Sequence, residues 1–77
     1  MKFYPIRVHT YSGYKADERP LKFEHEGKEH MIREIVNQSC EEIVGKGLRN
    51  KFSVRTEGGK IFTLFHEKIK DQWFLEE

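Results

Sequence analysis

A chain of 77 residues, 36% hydrophobic and 35% charged, has room for one small core and excludes a two-domain enzyme with an interdomain cleft. Its 14 Lys and Arg against 13 Asp and Glu leave a formal net charge of +1, far from the basic excess of a dedicated nucleic-acid binder. Cys40 stands alone and cannot form an intramolecular disulfide, and no apolar run reaches signal-peptide or membrane-span length. The expectation is a soluble protein of the reducing cytoplasm, without membrane contact.

From Phe3 to Tyr11 apolar and polar side chains alternate, with Ile6, Val8 and Thr10 facing one way and Arg7, His9 and Tyr11 the other. That period predicts a strand with one buried face. Pro5 has no N–H to donate and suits a strand start or edge. Gly13 breaks the run, and Pro20 steers Arg19 away from helical geometry, so 12–19 reads as an extended connection. Leu21, Phe23 and His25 then alternate with Lys22, Glu24 and Glu26 up to Gly27-Lys28, whose leading glycine marks a two-residue type II′ turn. Such a turn places Glu26 opposite Glu29, His25 opposite His30 and Phe23 opposite Ile32.

The stretch 29–44 carries two conflicting signals. Met31, Ile32, Ile35, Val36, Cys40, Ile43 and Val44 fall at helical spacing, with Gly45 as a C-terminal cap, which gives an α+β alternative with a helix at 29–44. The Gly27-Lys28 hairpin instead requires a second strand. A strand over 29–37 followed by a short helical turn near 39–45, with Ser39 as N-cap and Glu42 at capping-box spacing, accommodates both.

Phe52 to Thr56 and Phe62 to Leu64 alternate on either side of Glu57-Gly58-Gly59-Lys60. A two-residue turn would put their apolar sets on opposite faces. A three-residue loop with a glycine bulge brings Val54 beside Phe62 and Phe52 beside Leu64, and is therefore expected. A polar turn over 67–71 and a short strand through Gln72-Trp73-Phe74-Leu75 follow. The expected fold is all-β and a single domain over 1–77. It is a half-open antiparallel barrel or curled meander of five to six strands, SH3-like in kind.

Three segments also carry a resemblance: Tyr11-Ser12-Gly13-Tyr14-Lys15-Ala16-Asp17-Glu18-Arg19-Pro20, then Phe52-Ser53-Val54-Arg55 with Gly59 and Phe62, then Trp73-Phe74-Leu75. Together they resemble a family of short bacterial conserved proteins of unknown function. The resemblance implies an all-β fold and a strand at 29–37, and it implies no activity. Asn37-Gln38-Ser39-Cys40 departs from the aromatic-containing segment which that family often shows after its third strand.

Charged side chains occur in blocks: net +3 over 1–22, −4 over 23–42, +4 over 43–60 and −2 over 61–77. Such blocks either polarise a surface or pair across strands. The densest functional group is Tyr14, Lys15, Asp17, Glu18 and Arg19, a loop set suited to clamping a partner, with Arg19 able to fork onto a carboxylate or phosphate. Local pairing of Arg19 with Asp17 or Glu18 is the plainer alternative. His25 and His30 are weak metal candidates, since a facing pair with Glu26 or Glu29 resembles a Zn²⁺ ligand set, whereas sheet-rim packing explains them as well. Cys40 has no C-x-x-C partner, and no serine or cysteine comes with a recognisable base, so no catalytic residue and no cofactor are expected. The sequence thus points to a small binding or adaptor module that contacts another protein through the 14–19 loop, with homodimerisation through an open strand edge. A nucleic-acid-binding barrel is the alternative, requiring the basic blocks to share one face, and an enzyme comes last.

Overall fold

The computed structural model describes residues 2–12, 18–45 and 47–77, and the side chains of Ser12 and Glu18 fall outside that description. Six antiparallel strands follow in chain order: β1 (Phe3–Ser12), β2 (Glu18–His25), β3 (Lys28–Ile43), β4 (Gly47–Thr56), β5 (Ile61–Glu67) and β6 (Gln72–Glu76). Each pairs with its sequence neighbours, and β1 closes the ring by pairing with β6. The expected all-β barrel is therefore present, and its ring is closed.

Closure depends on β1 serving two partners in succession. Phe3 to Ile6 pair with β6, whereas Arg7 to Ser12 pair with β2. The termini finish the seam, with reciprocal backbone hydrogen bonds between Lys2 and Glu77 at 3.0 and 2.8 Å. Inside lie Phe23, Phe52, Val54, Leu64, Trp73 and Leu75, all buried, with Ile6, Val8, Ile32, Ile35 and Phe62 packed against them. Aromatic edges meet faces across this core, Phe23 on Phe62 at 5.3 Å, and Phe52 lies tilted on Trp73 at 5.5 Å. A chain short of aliphatic residues thereby fills its interior with rings.

The hairpins divide between agreement and correction. At 57–59 the three-residue loop is as expected: Val54 pairs with Phe62 and Phe52 with Leu64. Thr56 donates to the Lys60 carbonyl at 2.9 Å, and Gly59 takes the left-handed φ of 85° that the bulge demands. The first hairpin turns one residue earlier than the sequence suggests. Its corner is Glu26-Gly27, both at positive φ (52° and 74°), the type I′ signature, in place of a Gly27-Lys28 type II′ turn. Phe23 consequently faces His30 rather than Ile32, and His25 faces Lys28 rather than His30. Phe23 and Ile32 still share the inner face, so hydrophobic patterning tolerates either turn and cannot choose between them.

β3 explains the conflicting signals at 29–44. It runs unbroken to Ile43 and turns at Val44-Gly45, so neither the helical turn at 39–45 nor the α+β alternative with a helix at 29–44 is present. Two register breaks against β4, one between Ile32 and Glu34 and one between Ile35 and Asn37, leave Arg33 and Val36 as unpaired bulge residues. Each bulge shifts the inward set by one position, so Ile32 and Ile35 both reach the core although three residues apart. A twice-bulged strand thus imitates the i, i+3 spacing of a helix.

Candidate functional site

Of the loop residues singled out by sequence, Tyr14, Lys15 and Asp17 lie outside the described residues, as does the Glu18 side chain. Glu18 opens β2 opposite Ser12, and Arg19 is exposed one step on, opposite the exposed Tyr11. Buried Pro20 follows, against Thr10, and the register break at this point fits a residue that cannot donate to a ladder. Arg19 and Tyr11 therefore stand near the end of a two-stranded arm formed by β1 and β2.

His25 and His30 do not pair across the hairpin. His30 is half-buried, stacked on Phe23 at 5.0 Å and leaning on Phe62 at 5.2 Å, which makes it part of the core wall. His25 is largely buried beside Tyr4, and its Nε2 lies 3.8 Å from the carboxylates of both Glu26 and Glu77. Among the described residues no three His, Cys, Asp or Glu side chains converge on a point where a metal ion would sit.

The described strand cations of the basic blocks fall on non-adjacent strands: Arg7, Arg19 and Lys22 on β1 and β2, and Arg49, Lys51 and Arg55 on β4, with β3 between them one way and β5 and β6 the other. On β4 the cations are engaged. Arg55 pairs with Glu34, and Arg49 pairs with Glu41 at 3.0 Å while its guanidinium covers the Phe65 ring at 4.4 Å. The acidic stretch of β3 and the basic stretch of β4 thus neutralise each other across one ladder.

Two features escape a reading of the sequence. Where β1 leaves β6 after Ile6, a shallow cleft of about 440 Å³ opens between Arg7, Val8 and Thr10 on one side and Asp71, Trp73 and Phe74 on the other. Of its lining residues, Trp73 is stacked by His66 at 4.4 Å, and the Asp71 carboxylate lies 2.8 Å from the His66 Nε2.

The second feature is the outer edge of β3. β2 holds β3 only from Lys28 to Met31, while β4 holds it from Ile32 to Ile43. Among the described elements β3 touches β2 and β4 alone, so beyond Met31 its far edge meets no strand. Every side chain from Val36 to Cys40 is exposed, and Cys40 carries a free thiol. Backbone groups of alternate residues on such an edge point away from the partner strand and remain open to pairing. A signal was available, since helical spacing inside a segment that must pair as a strand is what bulges produce.

No family model, curated protein or solved structure matches the chain.

Proposed function

We propose that this chain is a small protein-binding module that docks by strand addition, and that its docking edge is the outer side of β3 from Asn37 to Ile43. One observation carries the proposal: a regular strand, held by β4 on one side, has no described neighbour on the other. Strand addition draws affinity from main-chain hydrogen bonds and needs no pocket, which suits a barrel whose rings are committed to its core. The arm bearing Tyr11 and Arg19 supplies a second contact, in keeping with a role for the 14–19 loop. Nucleic-acid binding has weaker support, because Arg49 and Arg55 are already paired and β4 is not adjacent to β1 or β2.

Site-specific photocrosslinking tests this. A photoreactive side chain at Asn37 or Ser39 is expected to form adducts with a bound protein, and the same group at exposed Ile61 is not. Equal adducts from both places, or none from the β3 edge, would overturn the proposal.

A further inference from the structure

An edge used for strand addition selects its partner by what stands opposite each side chain, and the β3 edge is self-complementary. Resting on the strand-addition proposal, we propose that the partner is a second copy of this chain, joined antiparallel along β3 about a two-fold axis at Cys40. Antiparallel pairing about an axis normal to the sheet sets one residue against its own copy. The register is regular from Asn37 to Ile43, after the bulge at Val36, and the centre of that stretch is Cys40. Only with Cys40 on the axis do both copies use the whole regular edge.

The side chains agree with that register. Cys40 meets Cys40 of the other copy, Ser39 meets Glu41, Gln38 meets Glu42, and Asn37 meets Ile43, so no like charges face each other. Val36, in the bulge, and Val44, in the turn, flank this register and are 51% and 98% exposed in the single chain. Neighbouring registers lose this match. Centring on Gln38 or Ser39 carries the pairing back into the bulge at Val36 and shortens the regular ladder, and centring on Glu41 sets that carboxylate against itself, which is destabilising at cross-strand distance. The result is one continuous sheet in the order β5, β4, β3, β3, β4, β5. A single added ladder lies at the small end of specific interfaces, below about 1,200 Å² of total buried surface, so the dimer dissociates on dilution.

Sedimentation equilibrium from micromolar to millimolar protein should show the mass rise from 9.3 kDa toward twice that value. Gln38→Lys with Glu42→Lys sets ammonium against ammonium and should weaken the dimer tenfold or more, equivalent to about 1.4 kcal/mol. Gln38→Lys alone sets an ammonium against the native Glu42 and should retain it; both sites are exposed, so folding is preserved. Diamide should link the native chains through Cys40, two thiols giving up two electrons and two protons to the reagent as one S–S bond forms. In a Cys40→Ser background, Gln38→Cys combined with Glu42→Cys should crosslink, while Glu42→Cys alone should not. A chain monomeric at all concentrations, a dimer indifferent to the paired lysines, or Glu42→Cys crosslinking as readily as Cys40 would overturn the inference. In the first of these cases, photoadducts from Asn37 to a different protein would leave the strand-addition proposal standing.

Discussion

Replacing Phe23 by Ala removes a side chain that is 0% exposed, stacked on His30 at 5.0 Å and set edge-on to Phe62 at 5.3 Å. Truncating a buried Phe costs about 3 to 5 kcal/mol in transfer and cavity terms. Each lost ring contact adds about 0.5 to 1.5 kcal/mol beyond area. A value near the top of that range is expected, because Phe23 is fully buried and both of its ring contacts are lost. Domain stabilities run from about 5 to 15 kcal/mol, so Phe23→Ala should be largely unfolded at room temperature. Phe23→Leu, which leaves a smaller void, should fold with a lowered midpoint. The single Trp73, 7% exposed and stacked on His66, is a built-in probe: urea unfolding followed by its fluorescence reports both variants. Phe3→Ala is the control, since Phe3 is 48% exposed and only edges onto Phe65 at 5.5 Å; it should cost about 1 kcal/mol. A Phe23→Ala midpoint close to the parent's, or a Phe3→Ala loss as large as that of Phe23→Ala, would refute the placement of the core.

Glu26 sits at φ 52°, a conformation Asn adopts more readily, so Glu26→Asn should raise stability by about 0.5 to 1 kcal/mol in thermal melts. Gly59→Ala meets no atom within 4 Å, and its expected cost of about 1 to 2 kcal/mol comes from backbone strain at φ 85° alone; a neutral result would mean the loop has another geometry. A double-mutant cycle on Arg49 and Glu41 should give a coupling below about 1 kcal/mol that shrinks in high salt, because Glu41 is 40% exposed. A larger, salt-insensitive coupling would mean that the pair is shielded from water.

Where an element's two faces differ sharply, the sequence already speaks. Alternation at 3–11 and 52–64 identified β1, β4 and β5, and parity alone selected the three-residue loop at 57–59, because any even loop would have turned Phe62 and Leu64 to solvent. The sequence does not distinguish the two first turns, because Glu26-Gly27 and Gly27-Lys28 both keep Phe23 inside, and the difference lies in Glu26 accepting a left-handed conformation that few sequence rules would assign to it. Candidate chemistry was harder to locate for a related reason. His25 and His30 align only through the Gly27-Lys28 turn, and in the structure each packs against aromatic rings, His25 beside Tyr4 and His30 between Phe23 and Phe62. Ring closure itself, which depends on β1 exchanging β2 for β6 at Ile6, is a long-range pairing with no local signature.

The two bulges of β3 tie the sequence ambiguity to the proposed docking edge. Bulges bend and twist a strand, and those at Arg33 and Val36 lie just past the point where β2 and β3 part, so the features that imitate helical spacing coincide with the start of the open edge. A consequence is measurable by amide hydrogen exchange. In an antiparallel ladder alternate N–H groups point to the partner, so at micromolar concentration every second amide from Asn37 to Ile43 should be protected through β4 and the others should exchange as solvent-exposed groups do. At millimolar concentration that second set should slow in step with dimer formation, while the amides of β5, paired on both sides from Thr63 to Glu67, should not change. Protection of all amides in Asn37–Ile43 at every concentration would mean that the edge is already covered within one chain, and strand addition at this site would have to be abandoned.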